Sequence, residues 1–233
     1  MKSRTLFALH GFLGLGSDWS FLSHSTLKDT HHIVAPSYLS SSSPFPPTSL
    51  RTWCDKIASW ATQHSSGNRI FLGYSLGARL GLYLAAYHED VFEKFILVAP
   101  HLGNLSTPER EERVRNDAHW ASRFLNKDWD FLISDWNAQE IFQYSHALPK
   151  RMEHDFSRTY LVDALNKAST GLSEDFSSHS ILQSEKVQFV VGEDDKKYLN
   201  HLQNASVKHL IVVDNAGHRV PWDAPTKFLA KAF

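Results

Sequence analysis

Six short apolar runs, at residues 5–9, 33–36, 70–73, 95–98, 187–191 and 210–213, alternate with segments whose apolar residues recur at helical spacing. No other feature of this 233-residue chain limits its fold so sharply. Strands too apolar to face water need helices on both faces, and a helix between consecutive strands makes those strands parallel. The expected architecture is therefore α/β, a mostly parallel sheet flanked by helices. Leu50, Trp53, Ile57, Trp60 and Ala61 mark one face of a helix between the second and third runs. Residues 76–87, dense in Ala and Leu, give another, and 224–233 a closing helix after Pro221 and Asp223.

The stretch from about 101 to 182 breaks this alternation. It is rich in charge and aromatics, and its periodicity is helical. Ser106-Thr107-Pro108-Glu109 reads as a helix start, with Val114, Ala118, Ala121 and Leu125 following at helical spacing. We expect one domain over 1–233, with a core of about 1–100 and 183–233. The segment between would be a helical cap insertion over the carboxyl end of the sheet, where open α/β sheets bind ligands. Ser40 to Pro47 reads as a loop, and no internal repeat is present.

Charge narrows the partners. With 24 Lys plus Arg against 25 Asp plus Glu the formal charge is −1, which gives no basis for binding nucleic acid or an anionic membrane. The start of the chain lacks the apolar h-region and cleavage site of a signal peptide, and no run reaches the length that spans a bilayer. Cys54 is the only cysteine, so no intrachain disulfide forms; it is expected to be buried on a helix. These features lead to a cytoplasmic expectation. The histidines are scattered without metal-ligand spacing, so neither metal nor cofactor is expected. Gly11-Phe12-Leu13-Gly14-Leu15-Gly16 lacks the spacing of a dinucleotide fingerprint.

Gly73-Tyr74-Ser75-Leu76-Gly77 matches G-x-S-x-G, between an apolar run and a helical pattern. That context is the nucleophile elbow of the α/β-hydrolase fold, in which a serine sits on a sharp strand-to-helix turn. A serine hydroxyl needs a histidine to accept its proton and an acid to orient that histidine. In this fold the order is serine, acid, histidine. Four histidines lie beyond residue 160. His218 follows the strand at 210–213, at a carboxyl end; His209 precedes that strand, while His179 and His201 fall in loop or helical stretches. For the acid, Gly192-Glu193-Asp194-Asp195 follows the strand at 187–191. Asp195 is the choice, lying beyond the strand-ending turn, with Asp194 as its alternative. His10-Gly11-Phe12 follows the first strand, where the fold supplies one oxyanion-hole N–H, from Phe12; the other belongs to Leu76.

With these residues assembled, the chain resembles the 2-succinyl-6-hydroxy-2,4-cyclohexadiene-1-carboxylate synthases, the pyruvate-eliminating branch of the fold in menaquinone biosynthesis. The resemblance runs over nearly the whole length. It rests on His10 to Gly14 with Asp18-Trp19, on Gly73 to Arg79, on Glu109 to Asp117 with Trp120 and Phe124-Leu125, on Asp135-Trp136, on Gly192 to Tyr198, and on Asn215 to His218. It implies a small polycarboxylate substrate, with Arg79, Arg113, Trp136 and Tyr74 lining its pocket and Lys197 as a weaker candidate. Arginine's planar fork suits carboxylates. Arg110 and Arg115 are read instead as a solvated surface paired with Glu109, Glu111 and Glu112. The chain departs from the family at Ala78, Asn137, Pro221 and Asp223.

The resemblance implies elimination of pyruvate from 2-succinyl-5-enolpyruvyl-6-hydroxy-3-cyclohexene-1-carboxylate, with Ser75 as base. The motifs alone serve equally a carboxylesterase or C–C bond hydrolase working through a Ser75 acyl-enzyme, and a binding module on this fold would keep the same outline.

Overall fold

A computed structural model describes residues 4–146 and 150–233; residues 1–3, within the stretch read for a signal sequence, and 147–149, within the expected cap, lie outside the described residues. Six strands form one sheet: β1 (Arg4–Leu9), β2 (His31–Val34), β3 (Asn68–Tyr74), β4 (Lys94–Val98), β5 (Val187–Gly192) and β6 (Leu210–Val213). Their order is β2-β1-β3-β4-β5-β6, and every recorded pair is parallel. β2 starts two residues earlier than the apolar run suggested, with His31 opposite Arg4. Pro36, which has no N–H to donate, falls outside it.

The four central strands are buried on both faces over most of their length, which is why they read as mainly apolar runs, whereas the edge strands β2 and β6 are largely half-buried. Phe7, Phe71 and Phe95 lie side by side in register on one face. Leu6, Ile70, Ile96 and Val190 face the other way.

On the phenylalanine face pack α1 (Leu50–His64) and α2 (Leu76–Tyr87). Ser49 caps α1, accepting from Thr52 N, and Cys54 is buried in it. The closing helix is labelled α7 (Pro225–Ala232); its Phe228 and Ala232 cover the opposite face.

Between β4 and β5 the chain is helical, with α3 (Thr107–Asn126), α4 (Trp129–Asn137) and α5 (Arg158–Lys167). The capping box of Ser106 and Glu109 starts α3 as expected. Its buried stripe differs from the sequence reading. Asp117, Trp120, Ala121 and Phe124 face inward, while Ala118 is exposed and Leu125 is 55% exposed. Both stripes have helical spacing and share Ala121, but Ala118 and Leu125 stand one residue beyond Asp117 and Phe124. The larger aromatic surfaces of Trp120 and Phe124 favour their burial over that of Ala118 and Leu125.

Arg110 also departs from expectation. Its guanidinium donates to the carbonyls of Gly103 (2.6 Å), Leu105 (3.1 Å), Gly171 (3.2 Å) and Ser173 (2.6 Å). It ties the chain entering this segment to the chain leaving it, rather than pairing with surface glutamates. Arg115 does stay on the surface, 3.8 Å from Glu111. Among the described residues no helix is long and apolar enough to cross a membrane.

Candidate active site

Ser75 is the entire connection between β3, ending at Tyr74, and α2, starting at Leu76. Reversing direction in one residue demands backbone that L-residues avoid, and Ser75 has φ 51° and ψ −107°. Its N–H donates to Val98 O at 2.9 Å, and its carbonyl accepts from Arg79 N at 2.9 Å. Such a conformation costs about 1–3 kcal/mol and is held only by its surroundings. Two glycines make room: a Cβ on Gly73 would lie 2.4 Å from Gly77 O, and one on Gly77 would lie 2.4 Å from Leu9 O. Leu13, Ala99 and Asn215, beyond β1, β4 and β6, share the positive φ. Strain therefore gathers at the carboxyl edge of the sheet.

Two more loops meet Ser75 there. His218 Nε2 lies 3.2 Å from Ser75 Oγ, and its Nδ1 lies 2.7 Å from Asp195 Oδ2. The carboxylate can only accept, so Nδ1 carries the proton and Nε2 is left to accept from the serine. Both His218 and Asp195 are buried. Asp195 also caps α6 (Lys196–Asn204), with its Oδ1 accepting from Tyr198 N at 3.4 Å. The His218 loop is braced by Asp223, whose carboxylate accepts from Gly217 N (3.1 Å) and His146 N (2.9 Å). Asp194 is half-buried, its N–H donating to Ala216 O. His209 pairs with Glu185, exposed and before β6.

Phe12 and Leu76, whose amides are the expected oxyanion-hole donors, line the same cleft as Ser75. Among the described residues neither amide is taken up by a turn or cap hydrogen bond. The Phe12 N–H belongs to the peptide whose carbonyl is Gly11 O, and that oxygen accepts from His10 Nδ1 (2.8 Å) and Gly14 N (3.0 Å). Fixing the carbonyl fixes the opposed N–H. Since Nδ1 must donate, His10 Nε2 accepts from Tyr38 N at 3.3 Å, and the two rings stack at 4.1 Å.

Burial, partly offset by the bond to Gly11, pushes His10 from 6.5 down to about 4. The unfolded chain takes up this proton before the folded chain does. The contribution to stability is thus full above pH 6.5 and is lost as pH falls through about 4. In that window His10→Gln should flatten the fall of unfolding free energy by about 1.4 kcal/mol per pH unit, one proton's worth. Urea titrations from pH 7 to pH 4 would read this, and parallel slopes would count against a neutral His10.

A cleft of about 830 Å³, measured out to its open mouth, lies over Ser75. Phe12, Tyr74, Leu76 and His218 form its base; Arg79, Arg113, Asp117, Trp120 and Trp136 stand around it. Every residue proposed from sequence for substrate contact reaches this cleft except Lys197, which lies beyond His218 beside Lys196, Glu140 and Tyr144. Arg79 is half-buried and donates to Ala168 O at 2.8 Å, joining α2 to the helical segment. Burial and then the nearby Arg113 lower it to about 10.

Arg113 Nε donates to Asp117 Oδ2 at 2.9 Å; its side chain is 40% exposed and that of Asp117 only 5%. Burial alone would lower Arg113, but the Asp117 carboxylate outweighs it and the guanidinium is held more firmly charged. Two guanidinium charges against one carboxylate leave the cleft positive. Trp136 is packed on Phe12 and Trp120, with centroids at 4.7 and 4.9 Å, and still faces the cleft. The sequence reading missed Asp117, although its place one turn beyond Arg113 was the available signal.

This arrangement pairs a proton acceptor with a serine in a cleft whose cations suit a carboxylate. A family model described as the alpha/beta hydrolase family matches residues 6–232. The chain belongs to the alpha/beta hydrolase family. Similar curated members include the 2-succinyl-6-hydroxy-2,4-cyclohexadiene-1-carboxylate synthase of Serratia proteamaculans (strain 568), 25% identical over 230 residues and covering 96% of this chain and 89% of that one. The enzyme of the same name from Photorhabdus laumondii is 28% identical over 218 residues, covering 90% and 77%.

Among solved structures, MenH from S. aureus has a TM-score of 0.85 at 19% identity, covering 98% and 91% of the two chains. A thermophilic esterase from Thermogutta terrifontis gives 0.69 at 17%, covering 97% and 87%. At such identities these structures establish the alpha/beta hydrolase fold and leave the reaction to the site.

Proposed function

We propose that this alpha/beta hydrolase eliminates pyruvate from 2-succinyl-5-enolpyruvyl-6-hydroxy-3-cyclohexene-1-carboxylate, giving 2-succinyl-6-hydroxy-2,4-cyclohexadiene-1-carboxylate in menaquinone biosynthesis. The observation that carries this reading is the pair Arg79 and Arg113 facing Ser75 across one cleft. A simple ester needs neither cation, whereas a substrate with several carboxylates needs such partners. The curated relatives named for this synthase agree with it.

In this reading Ser75, His218 and Asp195 form the catalytic triad. His218 takes the serine proton through Nε2, while Asp195 holds Nδ1–H and stabilises the imidazolium. The serine oxygen removes the ring proton at C2, next to the succinyl carbonyl. The C2–H electrons become the C2=C3 bond, the old C3=C4 pair shifts to C4=C5, and the C5–O bond breaks to release pyruvate as its enolate. The serine proton held on His218 and the proton taken from C2 balance the enolate and restore the resting site. As C2 loses its proton, charge spreads to the succinyl carbonyl oxygen, where the Phe12 and Leu76 amides would receive it. Arg79 and Arg113 would hold carboxylates, and Tyr74 and Trp136 would wall the ring.

The test is to mix the purified protein with the cyclohexene substrate and couple pyruvate release to lactate dehydrogenase. Rapid stoichiometric pyruvate, with no burst from an activated ester, is the expected result. Absence of pyruvate together with an ester burst would instead identify a carboxylesterase or C–C hydrolase acting through a Ser75 acyl-enzyme.

A further inference from the structure

Tyr198 stands three residues after Asp195, in the first turn of α6, and its N–H is bonded to that carboxylate. This places its ring against the reacting groups: the Tyr198 and His218 centroids are 4.7 Å apart, tilted by 54°. The residue is 8% exposed and forms part of the cleft wall with Ser75, Arg79 and Arg113.

The hydroxyl is the informative atom. Among the described residues it has no protein hydrogen-bond partner, yet the sealed-off, unpartnered side-chain atoms are only Trp19 Nε1 and His31 Nε2. The phenol oxygen is therefore not sealed off, and the residue that carries it lines the cleft. Arg113, Asp195, Arg79 and Asp117 all lie within electrostatic reach of it. A phenylalanine would pack the same wall without leaving a polar group to be satisfied, so the hydroxyl calls for an acceptor from the ligand.

We propose that Tyr198 is a substrate-binding residue whose hydroxyl donates a hydrogen bond to a carboxylate oxygen held by Arg79 and Arg113. This rests on the reading of the cleft as a carboxylate site given above. Burial pushes the phenol above its ordinary value of 10, so it stays a neutral donor throughout the working range. It adds direction without adding charge. The two cations attract any anion, whereas the phenol fixes which oxygen turns toward His218.

The experiment uses succinate as probe and compares wild type, Tyr198→Phe and Arg113→Ala. Succinate affinity is read by calorimetry, and Ser75 reactivity by the labelling rate with a neutral fluorophosphonate. In Tyr198→Phe succinate should bind about tenfold more weakly, as expected for one lost hydrogen bond to a charged group. Ser75 labelling should be unchanged within about twofold of wild type, the scatter of such rates being small beside a tenfold effect.

Equal succinate affinity in wild type and Tyr198→Phe, with Arg113→Ala weakened, would overturn the role of Tyr198 and leave the carboxylate cleft standing. A wild type that does not bind succinate would remove the carboxylate cleft and this proposal together. A matching fall in Ser75 labelling would also overturn it, because the phenol would then be acting on His218.

Discussion

Replacing Ser75 with alanine should cut pyruvate release by about a thousandfold or more while the protein remains folded. The substitution removes only Oγ, the atom 3.2 Å from His218 Nε2. Alanine meets the same backbone demand as serine at φ 51°, since both carry a Cβ, so the strained turn is neither relieved nor worsened. What is lost is the group that takes the substrate proton in the proposed elimination. Binding depends on Arg79 and Arg113 and should survive, so the substrate should still bind with near wild-type affinity. A variant with turnover within tenfold of wild type would exclude Ser75 as the base.

Asp195→Asn is the second large effect, expected at about 10⁴ in kcat. The Asp195 carboxylate only accepts, and that keeps the proton on His218 Nδ1. An asparagine amide turned toward Nδ1 as donor would favour the other tautomer, with Nε2–H pointing at Ser75 and unable to accept. Asp194→Asn is the natural control. Asp194 is half-buried one residue earlier and has no recorded bond to His218, so its loss should change kcat by less than about twofold, as for a surface substitution. Paired kinetics on the two variants would separate them, and a larger effect at Asp194 would reassign the acid. A lost helix cap is a further consequence at Asp195, since its Oδ1 accepts from Tyr198 N. Thermal melting should show it as a small destabilisation beside the kinetic loss.

The strands and the residues beyond them were open to reading because their signals are local. β3 and β5 are buried over most of their length and β6 is a half-buried edge strand of four apolar residues, so each stands out as a mainly apolar run, and Ser75, Asp195 and His218 each follow one of them. The glycines around Ser75 are equally local, since a single sharp turn dictates them. The inward face of α3 was not local. Ala118 with Leu125 and Asp117 with Phe124 fit the same period, and only the neighbours packed against the helix select between them. Nor could composition foretell that Arg110 would satisfy four backbone carbonyls from separate turns, because Gly171 and Ser173 lie some sixty residues further along the chain.

By itself, then, the sequence determined the parallel α/β architecture, the position of the serine turn and the order of its partners. Those follow from periodicity and turn chemistry over a few residues at a time. Tertiary structure alone decided where the other charges near the site go. Arg79 and Arg113 line the cleft as the resemblance implied, but Arg110 turns to backbone carbonyls, Lys197 ends on the far side of His218, and the Tyr198 ring packs against His218. An arginine's sequence neighbours fix its helix, but the direction of its charge depends on which distant carbonyls and carboxylates can replace water around it.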